Sequence, residues 1–168
     1  FDAPGPTFRD EAYAEYKADR APMEDTLSVQ LPYIDRLVEA QRFPTLSVRG
    51  YEADDVIGTL TRRGLDEGFE VLIVSSDKDF TQLIGPRVRM FDPMRDVTYD
   101  EVLVQKKWGV RPEQFVDLLA LTGDSIDNIP GVPGIGQKGA AQLLKDRPTL
   151  KQLLDELEDL PPRYKKAL

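Results

Sequence analysis

The stretch Thr122-Gly-Asp-Ser-Ile-Asp-Asn-Ile-Pro-Gly-Val-Pro-Gly-Ile-Gly-Gln-Lys-Gly139 decides how this chain is read. It sets Asp124 and Asp127 three residues apart and then runs into Gly131, Gly134, Gly136 and Gly139. Carboxylates at that spacing share a helical face and can serve one cation. Closely spaced glycines let a backbone approach a bulky partner and turn its N–H groups outward. Metal chemistry and a phosphate grip are expected side by side, with short helices flanking the glycine turn. The second of these is expected from Gln137 to Lys145.

Composition narrows the chemistry. The chain has 168 residues, 40% apolar and 31% charged, which suits a soluble protein able to bury a core. It has no Cys and no His. That excludes a thiolate nucleophile, a Ser-His-Asp triad and Cys- or His-ligated zinc. Hard-oxygen sites for Mg²⁺ or Mn²⁺ fit what is left. Net charge is −8, from 30 acidic and 22 basic residues, which argues against nucleic acid unless many acids share bound cations. No apolar run approaches the length needed to cross a bilayer, so no membrane partner is expected. Phe1 is not a native start, and the chain reads as beginning inside a folded element.

Upstream of the opening stretch, Pro112 starts a helix through Phe115, Leu118, Leu119 and Leu121. Val102, Leu103 and Trp108 anchor another that Gly109 ends. Glu70-Val-Leu-Ile-Val-Ser75 is the clearest strand, and its unbroken apolar run predicts burial on both faces, as in a parallel sheet. Arg87–Phe91, Asp96–Tyr99 and the short Leu46-Ser-Val48 are further strand candidates. Asp77 and Asp79 follow the main strand, where one can cap the next helix or both can be ligands. Leu27, Leu31, Ile34, Leu37 and Val38 predict a core-packed helix, with Pro32 near its start.

Thr7–Arg20 reads as a helix whose two faces differ in charge. Arg9, Tyr13, Tyr16, Lys17 and Arg20 share a basic, aromatic side, suited either to a single nucleic-acid strand or to plain solvation. Tyr51–Leu60 opens a further helix with Glu52, Asp54 and Asp55 at its start. The helix dipole favours acids there, but three in four positions exceed what capping needs. Asp2 is a turn residue or a ligand at a strand's carboxyl end.

The expected fold is α/β: a mostly parallel central sheet flanked by helices over residues 1–99, then a helical subdomain over 100–168 with a helix-hairpin-helix near 117–146. Asp2, Glu52, Asp54, Asp55, Asp77, Asp79, Asp124 and Asp127 would converge on one sheet edge. Two divalent ions about 3.5–4 Å apart would satisfy them and suit phosphodiester hydrolysis. The hairpin's N–H groups, with Lys138, would take a phosphate of duplex DNA without reading sequence.

These motifs resemble the 5′-nuclease family, most closely the 5′→3′ exonuclease domain of bacterial DNA polymerase I and its flap-endonuclease relatives. The likeness is carried by Phe1-Asp-Ala-Pro-Gly-Pro-Thr-Phe-Arg9, Tyr16-Lys-Ala-Asp-Arg20, Tyr51-Glu-Ala-Asp-Asp-Val56, Ser76-Asp-Lys-Asp79 and Gly123–Gly136. It implies a PIN-like, resolvase-like core and a structure-specific nuclease acting in DNA replication and repair. The expected substrates are 5′ flaps, nicks and gaps. It implies two Mg²⁺ or Mn²⁺ ions: Asp2, Glu52, Asp54 and Asp55 at the tighter, Asp124 and Asp127 at the second, Asp77 and Asp79 at or between them. It makes Arg9, Tyr16, Lys17 and Arg20 part of a helical arch (about 7–41), with Lys17 and Arg20 catalytic. It makes Gly131, Val132, Gly134, Ile135, Gly136 and Lys138 the duplex-binding hairpin, with a potassium ion there. A monomer in the bacterial cytoplasm, associated with the nucleoid and linked to a polymerase domain, is implied as well. The family carries another metal-binding aspartate on an earlier strand, which this chain lacks, so the alternative is a flap-binding fragment with impaired catalysis. A carboxylate-metal phosphatase of another α/β family is a further reading, but it has no use for the hairpin.

Overall fold

The computed structural model describes all residues, Phe1–Leu168, and divides into two units. One comprises Phe1–Val56 with Ile126–Asn128; the other comprises Ile57–Ser125 and Ile129–Leu168.

The first unit is held by polar contacts, with no buried side chain in its helices. Helix α1 spans Phe8–Ala12 and opens on a capping box between Thr7 and Asp10. It stops at Tyr13, whose backbone is extended, so the expected helix to Arg20 does not form. Residues 14–19 are turns instead, and Lys17 adopts a left-handed φ of 54°. Helices α2 (Asp25–Ser28) and α3 (Leu31–Ala40) follow, Pro32 standing in the first turn of α3. The core-packed helix expected here is not core-packed: Leu27, Ile34 and Leu37 are exposed. The apolar stripe is present, but periodicity says only which face is apolar, not what covers it. Leu46-Ser-Val48 forms no strand.

Helix α4 (Ala53–Asp66) begins in the first unit with Asp54 and Asp55 in its first turn. Its remainder belongs to the second unit, where Ile57 and Leu65 pack on the sheet core. Strands β1 (Val71–Val74), β2 (Val88–Asp92) and β3 (Val97–Tyr99) form a sheet in that order. β1 and β2 are parallel, in register Val71↔Val88, whereas β2 and β3 are antiparallel, Met90 opposite Tyr99. The sheet is thus small and mixed, because the 92–96 turn folds β3 straight back on β2. Asp92 drives that turn: it is 1% exposed, accepts from the backbone of Met94 and Arg95, and pairs with the Arg95 guanidinium at 2.7 Å. Burial of β1 on both faces is also not observed. Ile73 is buried, while Leu72 and Val74 stand open on the other face. Ile73, Phe80, Ile84, Val88, Met90, Tyr99 and Val104 make the core beneath.

Helix α5 (Glu101–Trp108) is capped by the Asp100 carboxylate on the Leu103 N–H and ends at Gly109. A 3₁₀ turn over Pro112–Gln114 leads into α6 (Phe115–Thr122), and α7 spans Gln137–Leu144. Phe115, Leu118 and Leu121 pack against Ile135, Ala140, Leu143 and Leu144, joined by Leu153 of α8 (Leu150–Asp155) and Tyr164 of α9 (Pro162–Lys165). The turn between α6 and α7 is set by one glycine crossing and one Pro-Gly turn. Gly123 and Gly131 cross so closely that a Cβ on Gly131 would lie 2.3 Å from the Thr122 carbonyl carbon. Pro133-Gly134 then makes a tight turn, with Gly134 at φ 82° and Ile135 N–H bonded to Val132 C=O at 3.0 Å. That is the residue order a type II turn demands. Helix, hairpin and helix stand as the sequence predicts.

Candidate metal and nucleic-acid site

In the first unit, the basic residues that were expected on one helix face converge on acids instead. Arg9 forms a two-pronged pair with Asp55, at 2.7 and 2.8 Å. Lys17 Nζ donates to Glu52 at 2.7 Å, and Arg20 to Asp127 at 3.1 Å. The Tyr16 hydroxyl lies 3.1 Å from Glu52 and 3.2 Å from Asp127, so one phenolic proton serves two carboxylates. Lys17 owes its place to its left-handed backbone, which seats its N–H on the Asp127 carbonyl at 3.0 Å. Asn128 reinforces this by donating to the Glu15 carbonyl at 2.8 Å. The loop containing residues 126–128 is therefore fastened to the Tyr16–Arg20 turn from both sides.

The acids at the start of α4 also do structural work. Asp2 accepts the Ala53 N–H at 2.6 Å, and Asp55 accepts the Glu52 N–H at 2.9 Å, two of the amide groups a helix start leaves unpaired. Asp54 is half-buried in the same turn.

Electrostatics follow the pairing. The Arg9 hydrogen bonds hold the Asp55 carboxyl below its ordinary value, and Asp55 holds the Arg9 guanidinium above its own. Burial pushes the Tyr16 phenol up to about 12, so it remains a proton donor at neutral pH. Burial works against the Lys17 ammonium, but Glu52 and Tyr16 outweigh it and its pKa rises. A pH dependence results. Because the folded pKa of Asp55 is depressed, the Arg9–Asp55 pair stabilises fully above the unfolded carboxylate value, about 3.9. That stabilisation is lost as pH falls through the lower folded value. Arg9→Met should lower the melting temperature by about 2 °C at pH 7. Once pH has fallen below the depressed folded value of Asp55 the variant and the parent should melt together; an unchanged gap at acid pH would reject the pair as the cause.

In the second unit, Asp77 caps the 3₁₀ turn Lys78–Leu83 by accepting from the Asp79 N–H at 2.9 Å. Lys78 is the residue that sequence reading missed. Its ammonium lies between Asp79, at 3.1 Å, and Asp124. The signal was available, since a cation enclosed by acids in Ser76-Asp-Lys-Asp79 is placed to neutralise them. Burial raises the Asp79 pKa against the pull of Lys78. Burial opposes the Lys78 charge, yet its two carboxylates raise its pKa overall.

Asp124 and Asp127 do not share a helical face. Gly123 ends α6 at φ 74°, and the Asp124 and Ile129 backbones bond to each other at 2.9 and 2.8 Å, closing a loop. Asp124 goes to Lys78, whereas Asp127 goes to Tyr16 and Arg20. No group of three or more acidic side chains stands close enough to hold a metal ion. Basic side chains engage the acids instead: Arg9 takes Asp55, Lys17 takes Glu52 and Arg20 takes Asp127, while Lys78 takes both Asp79 and Asp124. The donors themselves are hard oxygens of the type that fits Mg²⁺ or Mn²⁺.

The hairpin narrows too. Ile135 is buried in the helical core and its N–H bonds to Val132, whose own N–H bonds to the Leu121 carbonyl at 2.9 Å. Neither can donate to a phosphate. Gly134, Gly136 and Lys138 are exposed and keep that capacity.

Comparison with known proteins agrees with this anatomy. Residues 1–109 match the 5′-3′ exonuclease N-terminal resolvase-like domain, and residues 110–168 match the 5′-3′ exonuclease C-terminal SAM fold. The chain is 47% identical over 162 residues to the thermostable DNA polymerase I of Thermus thermophilus, covering 96% of this chain and 19% of that protein. It is 40% identical over 167 residues to the 5′-3′ exonuclease of Aquifex aeolicus, covering 99% of this chain and 58% of that one. Among solved structures, the bacteriophage T5 D15 flap endonuclease in a pseudo-enzyme–product complex with DNA and metal ions matches with a TM-score of 0.79 at 28% identity, over 95% of this chain and 62% of that chain. The chain thus spans about a fifth of the polymerase relative and somewhat over half of the others. Because the two family models together match residues 1–168, the chain belongs to the 5′-3′ exonuclease family.

Proposed function

We propose that the chain is the nuclease portion of a structure-specific 5′ nuclease, hydrolysing DNA phosphodiesters where single strand meets duplex. The observation that carries this reading is the seating of Tyr16 and Lys17 on Glu52. These are two of the residues proposed to handle the strand, bonded to a carboxylate proposed to hold metal. In this reading Asp2, Glu52, Asp54 and Asp55 hold one divalent ion, Mg²⁺ or Mn²⁺, Asp124 and Asp127 serve a second, and Asp77 and Asp79 stand at or between them. Such ions lower the pKa of an attacking water and stabilise the leaving oxygen. Lys17 and Arg20 orient the scissile phosphate by charge, Arg9 and Tyr16 guide the 5′ strand, and the exposed amides of Gly134 and Gly136 with Lys138 hold the duplex. A potassium ion at the hairpin is part of the same proposal. So is a polymerase domain on the same polypeptide, as in the much longer DNA polymerase I relatives.

The test is incision of a labelled 5′-flap duplex by the chain in Mg²⁺ or Mn²⁺. Cutting at the junction that EDTA abolishes is expected, and no metal-dependent incision would sink the proposal. Lys17→Ala with Arg20→Ala should slow incision about 100-fold, the scale of removing preorganised charge from a transition state. Duplex affinity should barely change. Parallel losses in rate and affinity would remove Lys17 and Arg20 from catalysis.

A second reading, duplex binding without turnover, is favoured by the pairing of the carboxylates with basic side chains. It predicts tight flap binding and no product in Mn²⁺, and measurable cleavage by residues 1–168 rejects it.

A further inference from the structure

Beside the hairpin, the second unit has an open groove lined by Gly134, Gly136, Lys138, Gly139, Arg163 and Tyr164, with two glutamines completing it. No carboxylate lines it, in a chain of net charge −8. Lys138 comes from the hairpin's second helix, α7, while Arg163 comes from α9, outside the hairpin.

The position of Arg163 is built. Tyr164 is 7% exposed and packs in the helical core. Its hydroxyl would lie 3.4 Å from a Cβ on Gly139, so the ring sits directly on α7. Arg163 lies over that ring at 4.4 Å and donates to its hydroxyl at 2.7 Å. A guanidinium held over an aromatic ring, with one N–H on its hydroxyl, keeps its remaining N–H donors in a fixed position, which suits a phosphate. The neighbouring cation differs: Lys165 is engaged by Glu158 at 2.9 Å, whereas Arg163 makes no ion pair.

We infer that Arg163, oriented by Tyr164, is a second phosphate-binding residue of the duplex grip, beside Lys138. The inference rests on the hairpin reading proposed above and extends the contacted backbone beyond the hairpin itself. A single exposed lysine holds one phosphate loosely. Two cations in one groove, one of them preorganised, fix the direction in which the duplex leaves the hairpin.

Fluorescence anisotropy of the whole chain with a labelled blunt duplex, in EDTA and across a salt series, tests it. Arg163→Ala should weaken binding about tenfold and reduce the magnitude of the log–log salt slope by about 0.9. Arg163→Lys should recover the slope but only part of the affinity, because an ammonium cannot replace the stacked fork. Arg163 is exposed, and an unchanged melting temperature for Arg163→Ala will show that the fold is intact. If Lys138→Ala weakens binding and Arg163→Ala does not, the inference is overturned while the hairpin reading stands. If the parent chain fails to bind the duplex, the hairpin reading falls and this inference with it. Equal weakening on a single strand of the same length would overturn the duplex assignment.

Discussion

Asp54→Asn combined with Asp55→Asn should leave a folded chain that holds duplex DNA but cuts a 5′ flap at least about 10³-fold more slowly. The expectation comes from the first turn of α4, where both acids stand. An amide at position 55 keeps an oxygen for the Glu52 N–H and for one prong of Arg9, so the helix start persists. What disappears is charge: two of the four carboxylates proposed for the first ion. Single-turnover flap cleavage, with anisotropy on the uncut duplex, separates the effects. A rate within tenfold of the parent, or an affinity that falls in step with the rate, would remove these acids from the chemistry.

Gly131→Ala should be among the most damaging single-methyl changes, costing about 3 kcal/mol or more in urea unfolding and abolishing duplex binding. Its new Cβ would meet the Thr122 carbonyl carbon at 2.3 Å, its oxygen at 2.4 Å and the Gly123 amide nitrogen at 2.5 Å. These are backbone atoms that no rotamer change can move aside. Gly134→Ala is the natural control. Gly134 has φ 82° but nothing within 4 Å of a Cβ, so only the left-handed backbone is penalised, about 1 kcal/mol. A smaller cost at Gly131 than at Gly134 would mean that the α6–α7 crossing is looser than it stands.

Much of the second unit was legible before folding. β1, β2 and β3 lie within a residue or two of their apolar runs, α5 ends at Gly109, and α6 and α7 flank the glycine turn as expected. Each of these signals is local: a period, a cap, or a turn residue with the right φ. The first unit was less legible. The 7–20 helix breaks at Tyr13, and α3 shows an apolar stripe with nothing buried beneath it. Charge patterning along a chain does not distinguish a helix from a series of turns when the same cations meet their acids either way.

The candidate site divides along the same line. The sequence by itself determined the chemical inventory: carboxylates without histidine or cysteine, a basic, tyrosine-bearing segment, and a hairpin that presents amides. Only the tertiary structure decided which groups meet. Arg9 reaches Asp55 across 46 positions, Lys17 reaches Glu52 across 35, and Tyr16 reaches Asp127 across 111. It also separated Asp124 from Asp127, since a bridge to Ile129 replaced the helix their spacing implied, and it withdrew Val132 and Ile135 from the hairpin's donors. The physical reason is range. Backbone propensity and turn chemistry act over a few residues and are written locally, whereas ion pairs form wherever the folded chain brings charges together, with no period in the sequence to announce them.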